Sequence, residues 1–210
     1  ANNRHTFKGL NYIVRPGANP PDFTNINYQQ QKQIHFGHFG SLAAGRHLGE
    51  VIKVFHNLLH DHPDWKKKIC LDVYGTDLDQ GSEKALQQYP LGDCLKARGR
   101  LEYDPVSGKS GRQRVLEAMR KTDVLLLIHG DGQECDEYIP SKLYEYLLTK
   151  RPILAVASKG SELETIITNL NHSFVALGNE KSLKEACQQF IMHWIDSALP
   201  DHNQSSPFTV

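Results

Sequence analysis

Two glutamates and a lysine in one short stretch have the chemistry to bind an anionic ligand that also carries hydroxyl groups. Glu137 and Glu145 stand eight positions apart, one before a predicted helix and one inside it. A helix N-terminus gathers free N–H groups and partial positive charge, which suit a phosphate. Lys142 in the first turn would add a full charge, and Glu145 could accept hydrogen bonds from the paired hydroxyls of a ribose. Residues three apart share a helix face, so Lys142 and Glu145 are predicted to be neighbours.

The residues around these side chains define the helix that must position them. Pro140 is predicted in its first turn, where a missing N–H costs nothing. The helix is expected to end near Thr149, and Pro152 opens an apolar run that predicts a buried strand. A plainer alternative makes Glu145 a solvated helix residue and Glu137 a loop carboxylate, although two glutamates with Pro-Ser-Lys between them and a strand behind them favour a binding site.

The same stretch resembles the signature of retaining glycosyltransferases of family 4, which have the GT-B fold. It is most similar to the bacterial, polysaccharide-type branch, which carries Pro-Ser-Lys-x-x-Glu-Tyr at this place. The resemblance implies that Glu137 lies by the donor sugar and that Glu145 binds the ribose of the nucleotide. It also places in the donor site the residues that join Glu137 to Lys142, namely Tyr138, Ile139, Pro140 and Ser141.

A second motif, residues 34–48, combines a strand, a glycine-containing turn and a basic residue. The backbone N–H groups of Gly40 and Ser41 could meet a pyrophosphate, and Arg46 at a predicted helix start could bind it as a fork. The G-x-G-x-x-G pattern is missing, which disfavours a nicotinamide cofactor. In the family that the chain resembles, this loop holds the donor diphosphate, often with two basic residues. Either Lys142 supplies the second charge here or phosphate binding is weaker; alternatively, Arg46 is only a surface residue.

A third region, residues 96–103, is similar to the segment that lines the base pocket in such transferases. The resemblance implies that Arg98, Gly99 and Arg100 contact the base, and an ordinary strand with solvated ends is the alternative. The floor of the same cleft would be formed by two further pairs, Tyr74-Gly75 and His129-Gly130.

Metal and cofactor signals are weak. His56, His60 and His62 have ligand-like spacing but close an amphipathic helix with no carboxylate or cysteine fixed to it, and Asp77-x-Asp79 stands in a polar loop without a further ligand. The resemblance implies no bound metal and no cofactor other than the nucleotide diphosphate sugar as donor substrate.

Strands and helices alternate along the chain, which predicts a Rossmann-like, doubly wound parallel α/β sheet with helices on both faces. The predicted strands are a short candidate at 11–14, then 33–37, 68–74, one within 95–101, 123–128, 152–157 and 173–177. The predicted helices are 46–60, 82–88, 110–121, 140–149, 161–170 and 182–198, the third and the last two opened by capping boxes at Ser110, Ser161 and Ser182.

Composition narrows the choice of partners and compartment. Lys+Arg and Asp+Glu each number 24 in 210 residues, so nothing points to nucleic acid. No apolar run is long enough to span a membrane, although peripheral membrane contact through a larger enzyme is compatible with the sequence. The four cysteines are scattered, and Cys70 and Cys187 fall in apolar patterns that predict buried thiols. A reducing, cytoplasmic location is expected.

The resemblance covers about residues 9–195 and matches only the second of the two Rossmann-like domains of a GT-B enzyme. Residues 1–23 are predicted to be the interdomain crossover, 24–198 the donor-binding domain, and 199–210 a loose tail. The acceptor site would then lie in an N-terminal domain, and this chain alone should bind donor but turn over little. Two alternatives stay open: a sugar-nucleotide epimerase domain with the GT-B fold, and a non-enzymatic doubly wound partner-binding module.

Overall fold

Six parallel strands form a single sheet. The computed structural model describes residues 26–43, 45–130, 139–170, 173–176 and 179–197. The strands, in chain order, are β1 (Ile34–Gly40), β2 (Ile69–Gly75), β3 (Leu95–Gly99), β4 (Val124–Ile128), β5 (Ile153–Val156) and β6 (Phe174–Ala176). Their spatial order is β3-β2-β1-β4-β5-β6, and every neighbouring pair is parallel. The predicted doubly wound sheet is therefore confirmed.

Helices cover both faces of the sheet. They are α1 (Gly49–Asp61), α2 (Gln80–Gln88), α3 (Gly111–Lys121), α4 (Ser141–Thr149), α5 (Glu162–Thr168) and α6 (Glu180–Asp196), with short 3₁₀ turns at Pro63–Lys67 and Gly92–Cys94. Helices α1 and α6 share one buried apolar cluster with the sheet, and α3, α4 and α5 share another. Because both faces are covered, β4 is buried along its whole length, as its unbroken apolar sequence predicts. Within the described part of the chain, no helix has the length and apolarity needed to cross a bilayer.

Strand β1 is longer than predicted. The predicted strand ended at Gly37, but β1 continues through His38 and Phe39 to Gly40, in register with Val73, Tyr74 and Gly75 of β2. Pairing with β2, and with β4 as far as His38, stabilises these residues as a strand, which local sequence alone cannot anticipate. The extension carries Gly40 to the carboxyl end of the sheet.

Helix starts are partly as predicted. Ser110 and Gln113 form the reciprocal capping box that opens α3, with bonds of 3.2 and 2.8 Å. Ser161 caps α5, but the Glu164 carboxylate accepts from the N–H of Gly160 rather than completing a box. The predicted cap of α6 at Ser182 is wrong.

Asn179 caps α6 instead. Its side-chain oxygen accepts from the N–H of Ser182 at 2.8 Å, and the helix begins at Glu180. Asparagine is among the strongest N-cap residues, so Ser182 lies inside the first turn. Similarly, Asp79 is the cap of α2, accepting from Gly81 and Ser82, and is therefore committed to helix capping.

A buried arginine joins the entering chain to the amino ends of β4 and β5. Arg151 has no exposed surface and donates to the carbonyl oxygens of Thr122 and Asp123 at 3.0 and 3.2 Å. Its guanidinium also lies 3.4 Å from the centroid of the Tyr28 ring, and the Tyr28 hydroxyl donates to the Asp123 carboxylate. These contacts fix the incoming chain to the amino edge of the sheet, opposite the edge at which Gly40 ends β1.

The buried cysteines agree with prediction. Cys70 and Cys187 are buried free thiols, and Cys94 is a third; Cys135 lies outside the described residues. The predicted segments 1–23 and 199–210 also lie outside them.

Candidate functional site

The candidate site lies where the order of the strands reverses, between β1 and β4. From β1 the chain adds β2 and β3 on one side, and then β4, β5 and β6 on the other. The helices that follow β1 and β4 therefore leave the sheet on opposite faces and open a crevice at the carboxyl ends of these strands. Open α/β sheets bind ligands in such a crevice. Gly40 ends β1, His129 and Gly130 follow β4, and α4 begins nearby.

Two glycines form the tightest part of this edge. Gly40 and Gly75 have φ angles of +141° and +126°, which disfavour any residue with a Cβ atom. A Cβ on Gly75 would lie only 2.3 Å from the carbonyl oxygen of Gly40. The backbones of β1 and β2 therefore approach each other as only glycine allows. Tyr74 and Gly75 end β2 at this edge, and their place in the floor of a base-binding cleft stays a prediction.

Lys142 reaches across to the end of β1. A Cβ atom on Gly40 would lie 3.9 Å from Cε of Lys142, so the lysine stem runs alongside the Gly40 backbone. Pro140 caps α4 with an extended backbone, and the helix begins at Ser141, one residue later than predicted. Lys142 is thus in the first turn of α4, as expected, and its side chain lies beside the end of β1.

Glu145 is held between two cations. One carboxylate oxygen accepts from Nζ of Lys142 at 2.5 Å, and the other accepts from Nη1 of Arg112 at 2.5 Å. Burial raises the pKa of the Glu145 carboxyl, but the bonds and charges of Lys142 and Arg112 outweigh it and hold that pKa below its usual value. Glu145 is therefore ionised at neutral pH.

Arg112 belongs to the candidate site, although no feature of the sequence predicted it. It lies in the first turn of α3, two residues after the Ser110 cap, and 33 positions before Glu145. The helix start was predicted correctly, but nothing local indicates that the first turn of α3 lies beside α4. The pairing of these helices follows from the strand order.

A buried histidine, His38, lies two residues before the end of β1. His38 in β1 is 6% exposed, and its Nδ1 lies 3.3 Å from the carbonyl oxygen of Leu126. Burial, with smaller contributions from the charges of Lys142 and Arg46, lowers its pKa to about 4. His38 is therefore neutral at physiological pH.

Arg46 lies in a turn rather than in a helix. The backbones of Ala43 and Arg46 bond to each other in both directions, at 3.1 and 2.8 Å, and α1 begins three residues later at Gly49. The predicted start of this helix at Arg46 is wrong, because the turn uses the N–H and C=O groups that a helix would need. Ser41, directly after Gly40, is exposed at the same end of β1.

The predicted base-contact residues separate in space. Arg98 donates from Nε to the carboxylate of Asp72 at 2.6 Å, which holds it over the middle residue of β2. Gly99 ends β3 with φ +66° and pairs with Tyr74, and the exposed Arg100 pairs with Glu102 at 3.1 Å. Gly99 and Arg100 therefore lie at the carboxyl end of β3. The Arg98 side chain is bound to Asp72 instead, in the middle of the neighbouring strand β2.

Asp72 anchors a buried polar cluster on the α3 face. Its second oxygen lies 2.6 Å from Nδ1 of His35, and Sγ of Cys70 lies 3.6 Å from the oxygen that Arg98 binds. Donor atoms of His35, Cys70 and Asp72 all lie within 4.8 Å of one another. Such a set would suit Zn²⁺, but both Asp72 oxygens are engaged and the Arg98 charge opposes a second cation. We therefore interpret the cluster as a network of hydrogen bonds and an ion pair around Asp72, and not as a metal site.

The three histidines with ligand-like spacing have separate surroundings. Nδ1 of His56 lies 3.1 Å from the carbonyl oxygen of Pro90, the His62 ring stacks on Trp65 at 4.0 Å, and the side chain of His60 is exposed.

Not every predicted site residue falls in the described part of the chain. Glu137 and Tyr138 lie outside it, so their contact with a donor sugar stays a prediction. Ile139 packs against the cluster of α3, α4 and α5, and Pro140 is buried. The structure thus brings Lys142 and Glu145 to Gly40, with Ser41 directly after Gly40 and Arg46 in the turn that follows β1.

The sheet order and the position of the crevice define the class of fold, a Rossmann-like, doubly wound α/β domain. No protein-family model matches the sequence, and no curated protein matches it. Solved structures do match, at identities that show the fold alone.

WaaG, a glycosyltransferase involved in lipopolysaccharide biosynthesis, matches with a TM-score of 0.58 and 18% identity over 89% of this chain and 50% of its own. HepE from Anabaena, solved with UDP and glucose, matches at 0.55 and 14% over 80% of this chain and 41% of its own. A UDP-forming trehalose-phosphate synthase from Burkholderia vietnamiensis matches at 0.55 and 9% over 76% and 36%. The chain therefore spans half or less of the length of these structures.

Proposed function

We propose that this chain is the donor-binding half of a retaining glycosyltransferase of family 4 and binds a nucleotide diphosphate sugar. The observation that carries the proposal is the convergence of Gly40, Lys142 and Glu145 at the switch point of the sheet, with Arg46 in the turn that follows β1. A backbone without Cβ atoms, two cations and one ionised carboxylate match the chemistry of a diphosphate linked to a ribose. A second Rossmann-like domain, not represented here, would bind the acceptor.

The diphosphate would be bound at the end of β1. Backbone N–H groups of Gly40 and Ser41, the N-terminus of α4, and the charges of Arg46 and Lys142 provide its ligands. During transfer these groups would stabilise the negative charge that develops on the leaving diphosphate. Glu137 would hold hydroxyls of the donor sugar, as the family resemblance implies, and so position the ring.

The direct test is binding of nucleotides to the purified chain. UDP, GDP, ADP and dTDP are titrated separately, with thermal unfolding and calorimetry as readouts. A ligand that binds the folded state raises its stability by mass action, so one of the four is expected to raise the unfolding midpoint. No response to any of them would contradict the proposal and would favour a partner-binding module.

Replacing Glu145 by alanine should weaken nucleotide binding by about 1–3 kcal/mol, because ribose hydroxyls lose their acceptor. Removal of this carboxylate also releases Lys142 for the diphosphate. Inorganic pyrophosphate, which has no ribose, should therefore bind the variant at least as well as the unaltered chain. Isothermal titration with both ligands checks the two halves of the prediction.

The matched control for Glu145→Ala is Glu185→Ala. Glu185 lies on α6, its side chain is 58% exposed, and its carboxylate is 4.0 Å from the ammonium group of Lys181. This weak surface pair is on another helix, so Glu185→Ala should leave nucleotide affinity unchanged. Equal losses for nucleotide and pyrophosphate in Glu145→Ala would show that Glu145 does not bind the ribose.

A further inference from the structure

The two cations on Glu145 would share its carboxylate with a bound nucleotide. Lys142 bonds one carboxylate oxygen and Arg112 bonds the other. Each oxygen can accept a further hydrogen bond from a ribose hydroxyl. If the proposed function is correct, the cation that is also drawn to the diphosphate would leave Glu145 on binding.

Lys142 is the cation placed to leave. Its stem already lies against Gly40 at the end of β1, where the diphosphate is proposed to bind, and its ammonium group is a single charge on a flexible chain. A dianionic ligand would compete directly with Glu145 for it. Its departure would vacate Oε2, the oxygen that Nζ now occupies.

Arg112 is placed to stay. It reaches Glu145 from another helix, α3, and bonds Oε1, the oxygen that Lys142 does not use. A planar guanidinium fixes the direction of a carboxylate better than a lysine does. We propose that Arg112 is a positioning residue that holds Glu145 by Oε1, so that Oε2 faces the ribose once the diphosphate has drawn Lys142 away.

This proposal rests on the proposed function and narrows it to ribonucleoside diphosphates. Without Arg112, Glu145 would rotate freely after Lys142 leaves. It would also lose one of the two charges that depress the pKa of its carboxyl. Discrimination between ribose and deoxyribose should therefore depend on Arg112, although Arg112 itself need not touch the ligand.

The experiment measures the affinity of UDP, GDP and ADP, and of their 2′-deoxy and 3′-deoxy counterparts, for the full chain by calorimetry. Arg112→Ala should bind the preferred ribonucleotide about tenfold more weakly. Its affinity for the deoxy forms should fall less, so the ratio between ribo and deoxy forms contracts. Arg112→Lys keeps the charge but not the planar guanidinium. Its affinity for the ribonucleotide should lie between those of the unaltered chain and Arg112→Ala.

Arg120→Ala is the matched control. Arg120 also lies on α3 and also reaches α4, where it donates to the carbonyl oxygen of Thr149 at 3.1 Å, at the far end of the helix. A general loosening of α3 from α4 would appear in both variants. Only Arg112→Ala should change the ratio between ribo and deoxy forms.

The pH dependence is a second readout. A carboxylate with a depressed pKa accepts hydrogen bonds above that pKa and loses this capacity as the pH falls through it. In Arg112→Ala the pKa of Glu145 should move up towards its usual value, so the loss of ribonucleotide binding on acidification should begin at a higher pH.

Two results would overturn the inference without touching the proposed function. One is an equal loss of ribo and deoxy forms in Arg112→Ala; the other is unchanged affinity in Arg112→Ala while Glu145→Ala still weakens binding. Absence of nucleotide binding by the unaltered chain would overturn both proposals. Thermal unfolding without ligand identifies a variant that has lost its fold. If Arg112→Ala is such a variant, the ratio of ribo to deoxy affinities is measured in Arg112→Lys instead, and an unchanged ratio there would overturn the inference.

Discussion

Replacing Arg151 by alanine is expected to lower the free energy of unfolding by about 3–5 kcal/mol. Arg151 is fully buried, and its guanidinium donates to the carbonyl oxygens of Thr122 and Asp123 while lying over the Tyr28 ring. The truncation leaves these oxygens without a donor in the interior, and it takes a positive charge away from the buried Asp123 carboxylate. Urea denaturation monitored by circular dichroism measures the loss.

The control for Arg151 is an exposed arginine. Arg100 has a side chain that is 80% exposed and pairs with Glu102 at the surface, so Arg100→Ala should change stability by about 1 kcal/mol or less. Comparable losses in the two variants would mean that the buried network at the amino edge of the sheet contributes little. Arg151→Met separates the lost packing from the lost hydrogen bonds, since it keeps most of the stem.

Replacing Gly75 by alanine is expected to cost about 3 kcal/mol of stability and also to weaken nucleotide binding. The new Cβ would meet the Gly40 carbonyl oxygen at 2.3 Å, and the φ of +126° is unfavourable for alanine. Relief of the clash must move the end of β1 away from β2. That movement displaces the Gly40 backbone from the place where it would meet a diphosphate.

Gly108→Ala is the control that separates the two effects in Gly75→Ala, because Gly108 has a positive φ but no neighbouring atom for a Cβ to clash with. Gly108 has a φ of +68°, and a Cβ there would meet no atom within 4 Å, so a loss of only about 1 kcal/mol is expected, with no effect on nucleotide affinity. Urea denaturation and nucleotide titration of both variants give the comparison. Equal losses of stability would show that the close approach of β1 and β2 relaxes without cost.

The proposed diphosphate site differs from the pattern of the family that the chain resembles. Many members place two basic residues in the loop after β1, whereas this chain has Ser41 and a single Arg46 there. The stem of Lys142 lies against Gly40. Of the two possibilities raised by the sequence, we therefore propose the one in which a lysine from α4 would supply the second charge.

Local sequence was enough for most of the architecture. The alternation of apolar runs with helical spacing predicted the doubly wound sheet, and the Ser110 cap predicted the start of α3. The spacing of Lys142 and Glu145 predicted their contact, because residues three apart on a helix always share a face. Each of these features depends on residues only a few positions apart.

The tertiary structure decided what joins distant segments. Arg112 reaches Glu145 across 33 positions, Arg98 is bound by Asp72 rather than standing at the site, and β1 extends to Gly40 because β2 pairs with it. None of these contacts has a local signal, since each follows from the order of strands in the sheet and the face on which each helix packs. The sequence alone determined which chemical groups this protein carries and on which elements, whereas the strand order determined which groups meet, because only that order brings α3, α4 and the end of β1 to one edge of the sheet.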